Sequence, residues 1–305
     1  MAKRARILVL TDDERDHRHA RRLIDSGVLP LRNPWLLGPA DLDTMAVSPD
    51  LVVALGRSAV LPAARLRERL GLPGPRPADV LPLLDKEILR NRAWAAGLPA
   101  VRHLAAPGEA GLCHVDGVAV GGRVVFAAAT RHLRPRHDFA AGSGTGGITL
   151  TGAEADTMIG AARAAVARLP VPDGAFHVEL SDTRPGPILV AAAPHPPPAL
   201  LRTTTHAATG VDLLAEHLRA GVGQPTFPRR TREAVAGYWR VPAGKAARTR
   251  PALPEVHSEV VLADLPEPGR SAPTEVVVRG DHEAVVLTDL IALRERLDET
   301  VTPRS

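Results

Sequence analysis

The chain has 305 residues, of which 45% are hydrophobic, so it can form two or three packed units around a sizeable core. The formal net charge is only +4 and aromatic residues make up 3%, which argues against nucleic-acid binding because bases would lack stacking platforms. The apolar runs are too short to span a membrane and the first residues lack a signal-peptide core. We therefore expect a cytoplasmic protein without membrane contact.

Arginine supplies almost all of the positive charge, since the lysines are only Lys3, Lys86 and Lys245. Together with the richness in Ala and Pro, this bias is typical of a high-GC bacterium. The single cysteine, Cys113, excludes an intrachain disulfide and a cysteine-built zinc site. Its place beside a predicted strand indicates a small buried hydrophobic residue rather than a nucleophile.

The first hundred residues alternate short apolar runs with amphipathic stretches, which predicts a doubly wound α/β domain over residues 1–100. A helix is predicted to begin after Asp85, whose side chain can cap it, and to end at Gly97 and Pro99. Lys86 lies in its first turn, where a cation gains nothing from the helix dipole, so we interpret it as a contact for an anion. The other strands and helices predicted in this domain cover 5–10, 15–24, 49–55 and 59–70.

From His114 onward the pattern predicts a C-terminal α+β domain with an antiparallel sheet. A hairpin is predicted over 114–129 and a mobile Gly/Ser loop over 138–147. Further strands are predicted over 175–180, 187–193, 255–263, 274–279 and 283–287, and helices over 154–169, 209–219 and 290–297. We divide the chain after residue 100 into a connector of 101–113, an α+β unit of 114–224 and a β-rich segment of 225–305 with a final helix.

Several segments resemble, in matching order, the ATP-grasp superfamily of biotin carboxylases and carboxylate–amine ligases. They are the Asp85-Lys86 helix, residues 48–74, the strand pair that starts at His114 and Gly122, Phe176-His-Val-Glu179, and residues 210–214. The resemblance implies the ATP-grasp fold and an ATP-dependent ligase that joins a carboxylate to an amine through an acyl phosphate. It also implies that Lys86 contacts ATP phosphate and that Glu179 binds Mg²⁺.

The chain differs from that family pattern at the residues that would bind metal and phosphate. Where the family has a second metal carboxylate, an amide and an arginine on the next strand, this sequence has Ala191, Ala193 and His195. Alanine offers a hard cation no lone pair, so Glu179 alone is a weak metal site. The family also places a lid subdomain with a second lysine between its two halves. Here only residues 101–113 connect the halves, so we predict that the lid is missing.

Three hypotheses for function follow. The residues favour a pseudoenzyme, that is, a degenerate ATP-grasp scaffold that acts as a ligand-binding or partner subunit. The first alternative is an active ligase that uses ATP and Mg²⁺, with a site that is minimal or completed by a partner chain. The second is an unrelated α/β binding module. The expected ligand is a small carboxylate or amino acid, and the expected macromolecular partner is another chain or a second copy.

Each candidate residue also has a structural alternative. Lys86 can be an exposed helix lysine, and His177 and Glu179 can simply be the polar positions of an alternating strand. If an anion does bind, Lys86 and Glu179 should face one cleft between the two domains. A metal site built from Glu179 and the histidines near the predicted sheet is a further possibility. Those histidines are His114, His177 and His195. The arginines able to replace a missing phosphate contact are Arg131, Arg134 and Arg202.

Overall fold

The computed structural model describes residues 6–29, 35–44, 48–101, 111–134, 143–243, 252–267 and 271–298. These residues form one three-stranded sheet and one eight-stranded sheet. Most of the predicted connector and part of the predicted Gly/Ser loop lie outside the described residues. Among the described helices, none has the length and apolar character that crossing a membrane requires.

The first sheet is parallel, with strand order β2-β1-β3. Its strands are β1 (Ile7–Leu10), β2 (Trp35–Leu37) and β3 (Leu51–Ala54). Its helices are α1 (Glu14–Asp25), α2 (Arg57–Leu70), α3 (Pro77–Leu84) and α4 (Lys86–Ala95), and a 3-10 helix covers Pro39–Thr44. All of β1 is buried, as expected for a central parallel strand covered on both faces. The predicted N-terminal α/β unit with a parallel sheet is confirmed.

The second sheet has eight antiparallel strands in the order β10-β11-β9-β6-β5-β4-β7-β8. The first five along the chain are β4 (Leu112–Val120), β5 (Arg123–His132), β6 (Thr145–Thr149), β7 (Gly174–Ser181) and β8 (Ile188–Ala193). The last three are β9 (Val235–Val241), β10 (Glu259–Asp264) and β11 (Thr274–Gly280). The predicted antiparallel sheet is confirmed, and the pairing of β6 with β9 makes it continuous across residue 224.

Helices cover both faces of this sheet. They are α5 (Gly152–Arg168), α6 (Ala199–Thr209), α7 (Leu213–Gly221) and α8 (Glu283–Asp298). α5 and α8 pack on one face, and α6 and α7 pack on the other. α7 also packs against the first sheet, since Leu214 and Leu218 lie in one apolar cluster with Val9 and Val53. This helix therefore joins the two halves of the molecule.

Two sequence-based predictions about secondary structure are wrong. The predicted strand at 283–287 is the first part of α8, in which Val286, Leu290, Leu293 and Leu297 are buried at helical spacing. Its β-branched valines favoured a strand, but packing against β9 and β11 decides for a helix. Residues 145–147, which we predicted to end the Gly/Ser loop, belong to β6. A Cβ at Gly146 would lie 2.3 Å from the Trp239 ring, so this position of the strand requires glycine.

Two α-helices were not predicted at all. α6 contains a run of threonines, which are weak helix formers, yet Thr204 and Thr209 bond their hydroxyls to carbonyls one turn earlier. α3 begins at Pro77 in a Pro-rich segment, where proline at the first helical position is compatible with a helix. In both cases tertiary packing outweighs weak local propensity.

Of the segment between α4 and β4, the structure describes residues 96–101 and 111. Residue Ala100 forms a parallel bridge with Leu189 of β8, and β4 begins at Leu112. Among residues 96–101 and 111, no helix or strand forms beyond that bridge. Cys113, just after it, is buried, and burial raises the pKa of its thiol to about 12. It is thus the buried residue that we predicted.

Candidate functional site

A polar cluster lies on the face of the second sheet that carries α6 and α7. The register of β4 and β7 places His114 opposite Glu179 and Asp116 opposite His177. Because side chains alternate along a strand, all of these point to the same face. The alternating neighbours, such as Val115 and Val178, enter the apolar core under α5 instead. We call His114, Asp116, His177 and Glu179 the β4–β7 polar cluster.

Asp116 is the centre of this cluster and is fully buried. Its Oδ2 lies 2.8 Å from Nδ1 of His114, and its Oδ1 lies 2.6 Å from Nδ1 of His177. Burial alone would raise the pKa of Asp116, but the two histidines outweigh it and hold the pKa well below its usual range. Since an ionised carboxylate only accepts hydrogen bonds, both Nδ1–H groups donate to Asp116.

His177 connects Asp116 to Glu179, because its Nε2 lies 3.5 Å from Oε1 of Glu179. Burial would lower the pKa of His177, but the charges of Asp116 and Glu179 prevail and raise it to about 9. Glu179 itself is mostly buried, with 12% of its side chain exposed. The N–H groups of the two histidines therefore stabilise the negative charges of Asp116 and Glu179.

Next to the cluster, β8 contributes methyl groups only. Ala191 lies opposite Glu179, and Ala193 lies opposite His177. These are the two positions to which the sequence comparison assigned a carboxylate and an amide of the family pattern. Both oxygens of Asp116 are already bonded to imidazoles. Mg²⁺ requires several oxygen ligands in octahedral geometry, so this donor set does not fit it.

His195, the third histidine of the predicted metal site, has a different partner from His114 and His177. Its Nδ1 donates to the carbonyl of Pro196 at 2.8 Å, and burial lowers its pKa to about 4. Among the described residues, the group whose donor atoms come within 4.8 Å of one another is His114, Asp116 and His177. Asp116 was missed at the sequence level. The repeated pattern of two polar residues separated by one apolar residue, in β4 as in β7, was the available signal.

Lys86 is exposed in the first turn of α4. Asp85 caps that helix, as predicted, by accepting from the backbone N–H groups of Glu87 and Ile88 at 2.9 and 3.0 Å. α4 packs against β8, the strand that pairs with β7. The helix with Lys86 and the strand with Glu179 are therefore separated by a single strand. That their side chains face one cleft stays a prediction.

Replacing Asp85 by alanine should lower the free energy of unfolding by about 1 kcal/mol, because two N–H groups of α4 lose their partner. Chemical denaturation of the two proteins measures this difference. The matched control is Lys86→Ala in the same turn, which should change stability by less than about 0.5 kcal/mol. An equal loss in both variants would contradict the capping role.

The arginines that could replace a phosphate-binding lysine are already neutralised. Nη1 of Arg131 lies 2.5 Å from Glu154 and its Nη2 lies 3.2 Å from Glu283. Arg134 pairs with Asp298 at 2.7 Å, and Arg202 pairs with Asp16. None of the three adds uncompensated positive charge to the face of the β4–β7 polar cluster.

A cavity of about 350 Å³ lies between α1 and α6 and is lined by both basic and acidic side chains. Two others, of about 180 and 410 Å³, lie beside His217 and beside Thr149. Neither Lys86 nor Glu179 lines any of these three cavities. The side chains that line these three cavities do not indicate one class of ligand.

No protein-family model matches the sequence, and no curated protein matches it at a significant level. Solved structures do match the fold. The L-amino acid ligase from Bacillus licheniformis aligns over 98% of each chain with a TM-score of 0.68 and 13% identity. The N5-carboxyaminoimidazole ribonucleotide synthetase from Thermus thermophilus aligns over 95% of this chain and 98% of its own, with a TM-score of 0.67 and 14% identity.

A third match is the carboxyaminoimidazole ribonucleotide synthase from Aspergillus clavatus, whose structure was determined in complex with ATP. It covers 98% of this chain and 99% of its own, with a TM-score of 0.65 and 12% identity. At such low identity the similarity establishes the fold alone. Together with the parallel sheet, the antiparallel sheet and the order of elements, it shows that the chain has the ATP-grasp fold.

Proposed function

We propose that this chain is a non-catalytic derivative of the ATP-dependent carboxylate–amine ligases and serves as a ligand-binding or partner subunit. The observation that carries the proposal is the pair Ala191 and Ala193, which lie directly opposite Glu179 and His177. A metal carboxylate and amide at these positions would complete a magnesium site next to Glu179. With two methyl groups there, β8 offers a magnesium ion no oxygen ligand to add to the carboxylate of Glu179.

The electrostatic cost of this loss is large. Phosphoryl transfer depends on metal ions and cationic side chains around the moving phosphate, because the transition state spreads negative charge over its oxygens. Removing a single well-placed contact of this kind costs about 10²–10³-fold in rate. Here the second carboxylate, the amide and the family arginine are all replaced, the last by His195. We further propose that the family lid is missing, since residues 101–113 are too few to fold alone.

An active ligase is the second candidate. The structural neighbours favour it, since one of them was determined with ATP and another is an L-amino acid ligase. The chain also retains Lys86 at the beginning of α4 and Glu179 on β7. Activity would then require a partner chain, or a second copy, to supply the missing charges. The shared ATP-grasp fold speaks against the third hypothesis, an α/β module unrelated to these enzymes.

The purified chain, incubated with ATP, Mg²⁺ and a broad panel of amino acids and other carboxylates, should release no ADP above background. Calorimetry should likewise detect no Mg²⁺-dependent binding of ATP in the micromolar range. An active ATP-grasp ligase assayed in parallel establishes that the panel and the detection work. Turnover that disappears in both Lys86→Ala and Glu179→Ala would restore the ligase hypothesis.

A further inference from the structure

A buried arginine without a carboxylate partner lies beside one of the three cavities. Arg67 on α2 is 8% exposed, and it lines the cavity of about 180 Å³ that also contains His217. Within the part of the chain that the structure describes, no carboxylate pairs with its guanidinium. The equally buried Arg202, by contrast, is paired with Asp16. Arg67 is therefore a buried cation that lacks a counter-ion in the protein itself.

Backbone carbonyls fix the position of this guanidinium. Its Nη2 donates to the carbonyl of Val52 at 2.8 Å, and its Nη1 donates to the carbonyl of Pro75 at 3.4 Å. A guanidinium has five N–H groups, so three of them have no acceptor among the described residues. Burial, together with the charge of Arg76, lowers the pKa of Arg67 to about 10, so the group is still protonated at neutral pH.

A second arginine adds to the uncompensated charge. Arg76 directly follows Pro75, whose carbonyl accepts from Arg67. Nη1 of Arg76 is buried and makes no hydrogen bond among the described residues. In proteins, buried polar atoms are nearly always hydrogen-bonded and buried charges are nearly always paired. Two neighbouring arginines without a carboxylate partner therefore indicate an anion that comes from outside the chain.

The cavity beside Arg67 suits a small organic anion. Its volume of about 180 Å³ is below the roughly 300–1,000 Å³ of cavities that hold drug-sized ligands. The other polar side chains that line it are Asp173 and His217. Asp173 is exposed and accepts from the N–H of Gly121 at 2.8 Å, and both ring nitrogens of His217 are hydrogen-bonded to backbone groups. The remaining walls are apolar and include Val60, Val80 and Pro194.

We propose that this cavity binds a small carboxylate with a short apolar tail, and that Arg67 contacts its carboxylate group. The lining side chains alone do not define a ligand, but the unpaired charge of Arg67 does. The free N–H groups of a guanidinium match the two oxygens of a carboxylate, and one negative charge compensates one buried cation. Phosphate fits less well, because apolar walls cannot replace the water around a second charge.

The proposed site lies between the two halves of the molecule. Val52 and Val80 come from the first half, and Pro194 and His217 come from the second. The site shares no residue with the β4–β7 polar cluster. It goes beyond the function proposed above, because binding here requires neither ATP nor Mg²⁺ and is compatible with an active ligase as well.

Binding of isobutyrate to the full chain tests the site. Calorimetry should detect one isobutyrate ion per chain in the millimolar range or tighter, and isobutyrate should raise the melting temperature of the wild type. Isobutyramide has nearly the same shape without the charge and should do neither. Arg67→Gln should abolish both effects of isobutyrate. The matched control is Arg65→Gln, which removes an exposed arginine of the same helix and should bind isobutyrate as the wild type does.

All titrations use one ionic strength, set with sodium chloride, because salt alone changes electrostatic contributions to stability. If Arg67→Gln does not fold, Arg67→Lys takes its place, and it should weaken binding by about tenfold or more because it loses the planar pair of donors. The proposal is overturned if the wild type binds isobutyrate no better than isobutyramide. It is equally overturned if the Arg67 variant binds isobutyrate as tightly as Arg65→Gln, or if the wild type prefers inorganic phosphate.

Discussion

Replacing Arg202 by methionine should lower the free energy of unfolding by about 3–5 kcal/mol, because it leaves the carboxylate of Asp16 buried without its counter-ion. Both side chains are 6% exposed, and the guanidinium of Arg202 on α6 bonds Asp16 on α1. Its Nη1 also donates to the carbonyl of Pro197 at 2.6 Å. The pair thus links the N-terminal helix α1 to the large sheet, and chemical denaturation measures the loss.

A surface pair on the same helix provides the matched control. Arg18 and Glu14 lie 3.1 Å apart with side chains 60% and 90% exposed, so Glu14→Ala should cost at most about 1 kcal/mol. The double variant Asp16→Leu with Arg202→Met should recover much of the loss, because it leaves no buried charge. Burial raises the pKa of Asp16 even beside Arg202, so the single variant should lose less at acid pH. If Arg202→Met lowers the free energy of unfolding no more than Glu14→Ala does, the stabilising role of the Asp16–Arg202 pair is contradicted.

Stability should also fall as the pH is lowered from about 6.5 to about 4, because His217 is neutral in the folded protein. This buried residue of α7 accepts from the N–H of Ala175 at Nδ1, 3.0 Å away, so its Nε2–H donates to the carbonyl of Ala54 at 2.9 Å. It therefore connects β7 of one sheet with β3 of the other. Burial lowers the pKa of His217 to about 4, with the charges of His195, Arg67 and Arg202 adding to the effect.

The sign follows from proton linkage. Below its ordinary pKa of 6.5, His217 binds a proton in the unfolded chain and not in the folded one, so acid favours unfolding until the folded pKa of about 4 is reached. A difference of this size corresponds to about 3 kcal/mol. Urea unfolding across this pH range should show a steeper decline for the wild type than for His217→Gln. His195 titrates in the same direction, so the variant keeps a residual slope. Equal slopes would contradict the assignment to His217.

Local signals in the sequence predicted much of the fold. The Asp85 cap and the Gly97 stop place α4 within a residue or two, since capping depends on a few adjacent side chains. The alternation of polar and apolar residues placed His177 and Glu179 on one face of β7. At 283–287 the valines suit a helix and a strand alike, and only the packing of α8 on the sheet distinguishes the two.

By itself the sequence determined that a parallel unit precedes an antiparallel one, and that positions 191 and 193 carry no ligand atoms, because side-chain chemistry needs no coordinates. Only the tertiary structure decided that Asp116 stands between two histidines, since that depends on the register of β4 with β7 across about sixty residues of chain. It alone also revealed that His217 connects the two sheets. Capping and periodicity act between neighbours in the chain, whereas register and burial arise from contacts between distant segments, which no local pattern encodes.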